Sequence, residues 1–198
     1  MNVKTEGIVL KEVKILNAKR LLTVLTEDEG KIIFDIRYKV SNKNVDPSLP
    51  VLTLAKFNLI KNKERYKLES FEILKSAYEL VKNYETFNEI SKFAIFINKI
   101  IPENAKEKKL FEIFKNLLNY TQGKLSLKTL ILSAYFKVLF NEGLIPYEKS
   151  HIQKIDTDDQ KLINFFVNND FEIIKKYELK DEIIERLKNY IVFILAKP

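Results

Sequence analysis

The residues best equipped for chemistry in this chain are bases. Between Arg37 and Lys67 stand Arg37, Lys39, Lys43, Lys56, Lys61, Lys63, Arg65 and Lys67, eight bases against only two acids, Asp46 and Glu64. Lys19 and Arg20 precede them. Ammonium and guanidinium groups at this density attract an anionic partner such as nucleic acid. The plain alternative is a solvated lysine-rich surface. Groups suited to breaking bonds are scarce. There is one histidine, His151, and no cysteine. No Gly-x-Ser-x-Gly turn presents a nucleophile, and no Gly-rich loop ending in Gly-Lys-Ser/Thr cradles a phosphate. Asp156, Asp158 and Asp159 form the one dense carboxylate cluster. A metal-dependent hydrolase could use it for a hard cation, but helix starts favour acids because of the helix dipole. One imidazole without thiols cannot supply the four ligands of a structural zinc. The residues therefore predict no enzyme activity, no metal and no cofactor.

Composition sets the frame for these groups. The chain has 198 residues, 46% of them hydrophobic, which is enough for a real core and argues against disorder. The net charge is +7, and it is unevenly placed. Residues 1–78 hold 15 bases and 10 acids, whereas residues 79–198 hold 19 and 17. No basic-then-apolar leader is visible, and the longest apolar runs fall far short of a membrane span. A soluble, cytoplasmic protein with no membrane partner is expected.

The elements that must carry the bases are strands first and helices afterwards. Ile32, Phe34, Ile36 and Tyr38 alternate with Lys31, Asp35, Arg37 and Lys39, the period of two that a half-buried strand needs. Leu21–Leu25 is apolar on both faces and predicts a strand covered on both sides. Further strands are expected over 52–61 and 66–74, with 41–50 as a loop. Five short strands suggest a small closed barrel, and the OB-fold is the commonest five-stranded choice that binds nucleic acid. Helical periodicity begins near Ser76, where Ser76-Ala77-Tyr78-Glu79 fits a capping box. Helices are predicted from there to Pro102, with a break near Glu85 and Thr86 as its cap, then over 103–120, 126–142, 157–168 and 179–195. Thr157 to Gln160 reads as another capping box. The fold class is therefore α+β, with a barrel over 1–75 followed by a helical domain over 76–198.

The opening motif adds a resemblance. Lys4-Thr5-Glu6-Gly7-Ile8-Val9-Leu10, then Leu21-Leu22-Thr23-Val24-Leu25-Thr26, an acidic turn and Gly30-Lys31 resemble the N-terminus of the RecO family of recombination mediators. Arg37 to Lys43 occupy the place of that family's basic loop, with Ile36 and Tyr38 where the family has a small residue and a glycine. Pro50-x-x-x-Leu54 and Lys137 to Pro146 resemble two further family segments. Many members carry a four-cysteine zinc module after the last of these. Here it is missing, and His151 sits near the place of the first cysteine.

The resemblance implies an OB-fold followed by a helical domain without a zinc module. It implies DNA repair by recombination, localised to the nucleoid. The implied activity is binding of single- and double-stranded DNA, annealing of complementary strands and, with RecR, loading of recombinase onto coated single strands. The expected DNA track runs over Arg37, Lys39 and Lys43, then Lys61, Lys63, Arg65 and Lys67, extended by Lys19 and Arg20, with Tyr38 and Tyr66 as rings for base stacking. The C-terminal tail of single-stranded-DNA-binding protein is expected in an apolar groove along 126–143, rimmed by Lys128 and Lys137. The competing reading is a RecO-like scaffold or adaptor that binds proteins but not DNA.

Overall fold

The computed structural model describes residues 1–16, 19–37, 40–41, 44–45, 49–63, 65–81, 83–120, 126–145 and 156–196. Strands β1 (Asn2–Leu16), β2 (Lys19–Thr26) and β3 (Gly30–Arg37) are followed by the short pair β4 (Val40–Ser41) and β5 (Asn44–Val45), then by β6 (Leu54–Asn62) and β7 (Arg65–Lys75). The helices are α1 (Tyr78–Val81), α2 (Tyr84–Ile100), α3 (Lys108–Tyr120), α4 (Leu127–Asn141), α5 (Thr157–Asn168), α6 (Phe171–Ile174) and α7 (Asp181–Leu195). Two compact units result, Met1–Glu112 and Ile113–Pro198, with the boundary inside α3.

The long strands form one antiparallel sheet in the order β3-β2-β1-β6-β7. β1 serves both halves of it. Asn2–Ile8 pair with β6, Gly7–Leu16 pair with β2, and a register shift between Val9 and Lys11 lets the strand bend from one partner to the other. β3 and β7 then run parallel and lie against each other, which closes the five-stranded OB barrel. Val9, Leu22, Val24, Phe34, Phe57, Leu59 and Tyr66 fill its interior, with Phe34 edge-on to Phe57 at 5.7 Å. Gly7 is needed where β1 crosses this core. A Cβ there would meet Val24 Cγ1 at 2.6 Å and the Phe57 ring at 3.1 Å. The segment expected as loop over 41–50 holds Ser41, Asn44 and Val45 of the small β4–β5 pair.

The turn between β2 and β3 joins the barrel to the helix that follows it. The Thr26 hydroxyl donates to Gly30 O at 2.7 Å and accepts from Glu29 N at 3.1 Å. Gly30 has φ +75°, and a Cβ on it would lie 2.1 Å from Ala105 O. Lys31, expected on the solvent face of β3, is buried instead. Its ammonium donates to Asn98 O at 2.8 Å. The cause is Pro102: four residues beyond Asn98, it has no N–H to offer that carbonyl, so the last turn of α2 needs an outside donor. Burial pushes the Lys31 pKa down, against the charge of Glu103. Asn104 N returns a bond to Lys31 O at 2.9 Å.

Three helix starts differ from the sequence reading. α1 and α2 are separate, as the predicted break requires, but Asn83 caps α2 by accepting from Thr86 N at 3.1 Å. Thr86 is therefore inside the helix and buried. Ser76 does accept from Tyr78 N, at 3.2 Å. In α5 the N-cap is Asp156, and Thr157 is already helical, so the expected box from Thr157 to Gln160 does not form. Chain 103–107, expected to open a helix, is a turn at 103–104 followed by irregular chain, and α3 starts at Lys108.

The second unit is built around α4, which is buried on nearly every side and touches α5, α6 and α7. A helix apolar all round belongs in an interior. Phe136 stacks on Phe166 of α5 at 6.2 Å. Asp159 is buried, so it needs a counter-charge. It receives both Arg186 Nε and Nη2 at 2.6 Å, tying α5 to α7.

Gly30 and Gly143 share a positive φ, but nothing lies within 4 Å of a Cβ on Gly143. Gly143→Ala should cost about 1 kcal/mol, the backbone strain alone. Gly30→Ala should cost at least about 2 kcal/mol more, because Ala105 must also move. Urea unfolding followed by tyrosine fluorescence checks the difference, and equal losses would mean that the turn is not packed against 105.

Candidate nucleic-acid interface

Strand alternation sorts the predicted bases. Along β6 and β7, Leu59 pairs with Leu68 and Lys61 with Tyr66, all on the barrel's inner face. Asn62 pairs with Arg65 and Ile60 with Lys67, on the outer face. Lys61 therefore turns inward. Its ammonium meets Glu29 Oε2 at 2.6 Å and lies 5.0 Å from the centre of the Tyr66 ring. The Tyr66 hydroxyl donates to the same oxygen at 2.6 Å. Tyr66 was expected to stack on bases, but it is only 7% exposed and belongs to the barrel core. That expectation is corrected: the ring packs inside and its hydroxyl is bonded to the turn.

This inner triad shifts all three groups. Hydrogen bonds from Lys61 and Tyr66 hold the Glu29 carboxyl below its ordinary value of 4.5. The bond to Glu29 pushes Lys61 up. Burial, then the bond to Glu29, pushes the Tyr66 phenol up. Neighbouring acids of the turn are matched too. Lys108 lies 3.0 Å from Glu27, Lys106 lies 3.8 Å from Glu29, and Asp28 meets the Thr5 hydroxyl at 3.3 Å.

The remaining bases fall into two groups. Lys63, Arg65 and Lys67 are exposed at the β6–β7 turn and its outer face, with no ion pair among the described residues. Lys63 has φ 54° and sits at the tip of the turn. Lys19 and Arg37 pair at the open end of the β2–β3 hairpin. Lys19 lies 3.5 Å from Asp35, and Arg20 lies 3.7 Å from Glu12. Lys61 touches the opposite, closed end of that hairpin, and β3 runs about 23 Å between the two ends at 3.3 Å per residue. Among the described residues, the two groups thus lie toward opposite ends of that hairpin, one on it and one on β6–β7. Lys39, Lys43, Tyr38 and His151 lie outside the described residues.

A family profile described as "Recombination protein O N terminal" matches residues 1–77. DNA repair protein RecO of Acetivibrio thermocellus is 27% identical over 153 residues, covering 76% of this chain and 61% of that protein. DNA repair protein RecO of Thermodesulfovibrio yellowstonii is 24% identical over 179 residues, covering 89% and 70%. That of Caldicellulosiruptor bescii is 36% identical over 85 residues, covering 39% and 32%. Residues 1–77 thus match the N-terminal domain of the RecO family, and similarity to RecO proteins continues beyond them. The chain spans 61% of the length of the A. thermocellus relative, and it lacks the cysteines of the family's zinc module.

The stretches that resemble RecO hold structural positions. Thr5, Thr26, Gly30 and Lys31 knit the β2–β3 turn to β1 and to the end of α2. None of these is free to contact a ligand. Among the described residues, no group of His, Cys, Asp and Glu could hold a metal ion, and no helix is long and apolar enough to cross a membrane. Asp158 pairs with Lys161 at 2.9 Å, and Asp159 is committed to Arg186.

The two predicted partner lysines also differ. Lys128 is exposed in the first turn of α4, 3.0 Å from Asp181. Lys137 is half-buried. It donates to Val167 O at 3.3 Å and Asn169 O at 2.6 Å, and so supplies a charge to the C-terminal end of α5. Burial pushes its pKa down, against the charge of Asp170. α4 lies within its unit along most of its length.

Glu29 gives a signed pH dependence. Its folded pKa is lowered, so its stabilisation is complete above 4.5 and is lost as pH falls through the folded value. Stability measured by urea unfolding should drop more steeply below pH 4.5 in the wild type than in Glu29→Gln. Parallel pH profiles would show that the carboxylate is not held by Lys61 and Tyr66.

Proposed function

We propose that this chain is a non-enzymatic, cytoplasmic, nucleoid-associated DNA-binding mediator of recombinational repair. It binds single- and double-stranded DNA through the barrel, anneals complementary strands and, with RecR, helps load recombinase onto single strands. The observation that carries this reading is the β6–β7 hairpin, whose Lys63, Arg65 and Lys67 stand exposed on an OB barrel, with no ion pair among the described residues. Similarity to relatives that bear the name DNA repair protein RecO supports it. Arg37, at the other end of the β2–β3 hairpin, and Lys39 and Lys43, which follow it in the sequence, are assigned to the same work. Lysines supply phosphate contacts without sequence information, so binding should tolerate any sequence.

The second reading is a RecO-like scaffold that binds proteins but not DNA. The pairing of Lys19, Arg20 and Lys61 with acids favours it, since those bases are already matched. For either reading, the acidic tail of single-stranded-DNA-binding protein is the partner assigned to the helical part, with Lys128 as a contact. Lys128→Glu is the informative change there, because a carboxylate at 137 would face carbonyls and disturb the fold.

Fluorescence anisotropy with labelled oligonucleotides at several salt concentrations separates the readings. The wild type should bind with a strongly negative salt slope. Arg37→Glu/Lys39→Glu/Lys43→Glu should bind more weakly and make the slope shallower by about 2, at 0.7 counterions per phosphate contact on single strands. A wild-type protein with no affinity for DNA at low salt would leave the scaffold reading.

A further inference from the structure

The geometry points to a phosphate-binding surface for single-stranded nucleic acid on the outer face of β1, β6 and β7, with Lys4 as a contact the basic block does not include. This rests on the DNA-binding reading above and gives it a place. OB-folds commonly bind oligonucleotides on the face of their second and third strands. Here the closed end of that face is occupied. Thr23, Leu25 and Lys31 are buried on it, Lys31 is bonded to Asn98 O of α2, and Gly30 is pressed against Ala105.

The outer face of β1–β6–β7 is open. Its residues form ordered cross-strand rows: Asn62 with Arg65, then Asn2, Ile60 and Lys67, then Lys4, Asn58 and Ser70. Arg65, Lys67 and Lys4 occupy three successive rows, and Lys63 stands at the turn beyond them. With strands about 4.8 Å apart and same-face residues about 6.7 Å apart, Lys4 lies about 12 Å from Lys67. The next row, Glu6, Lys56 and Glu72, contains two acids and bounds the basic area. After it, Ile8 and Leu54 are buried, so the open face ends there. Asn58 and Ser70 share a hydrogen bond at 2.7 Å in the middle of the patch, and Ile60 is 36% exposed beside them. No aromatic ring occupies these three rows. The ligand is thus recognised by its backbone charge, and base stacking contributes nothing here.

Lys4→Glu/Lys67→Glu tests the surface. The control is Lys99→Glu/Lys109→Glu, an equal charge change at exposed positions on α2 and α3. In anisotropy titrations with dT and mixed-sequence oligonucleotides, the Lys4/Lys67 variant should lose affinity on both. Its salt slope should become shallower by about 1.4, two contacts at 0.7 each. The control should keep the wild-type slope. A well-folded Lys4/Lys67 variant with the wild-type slope overturns the surface while the DNA-binding reading stands. An equal loss in the control also overturns it, because net charge alone would then explain the effect. If the wild type itself does not bind, the underlying reading fails, and no variant is needed to see it. Should the reversal disturb folding by circular dichroism, Lys4→Gln/Lys67→Gln removes the same two contacts and must shift the slope by the same amount.

Discussion

One orphaned carbonyl organises the first unit. Pro102, just beyond α2, cannot donate to Asn98 O, and a cation on the barrel does so instead. Lys31 reaches it only because Gly30 turns the chain with φ +75° and because the absence of a Cβ lets 105 come close. Thr26 holds the turn shut from within. A buried ammonium without partners would be expensive, so the bond to Asn98 and the docking of α2 depend on each other. The barrel and α2 are parts of one unit for this reason, although strand and helix meet at a sharp boundary in the chain.

The same turn settles which bases can meet a ligand. Its three acids, Glu27, Asp28 and Glu29, sit between barrel and helix, where each is matched by a cation or hydroxyl. Lys61 is drawn in to Glu29, and its alternation partner Lys67 is left outside. Two lysines six residues apart thus do opposite work. The inner one brings the β6–β7 hairpin to the β2–β3 turn, and the outer one stays in water. An exposed base in contact with water costs little to present and keeps its charge for a polyanion.

In the second unit, buried charges again hold elements together. Lys137 closes the end of α5, and Arg186 with Asp159 joins α5 to α7. Ser126 and Thr129, at the start of α4, bond to Lys175 O and Leu179 N, which anchors the chain between α6 and α7. These contacts place polar side chains where a sequence pattern would mark only an amphipathic surface.

The sequence by itself determined the strand alternation of β3, the break before α2, the stops at Pro102 and Gly143, and the order of barrel then helices. These depend on neighbours close in the chain: period, proline, glycine and helix cap. The resemblance to RecO was legible for the same reason, since its motif lies within one strand and one hairpin. Only the tertiary structure decided which of the bases face solvent. Lys31, Lys61 and Lys137 look like surface lysines in the sequence, and each is turned inward by a group 67, 32 or 32 residues away. A lysine carries its charge on a long flexible stem. Where that charge ends up is set by the acid or carbonyl that folding brings opposite it, and chain spacing does not encode that.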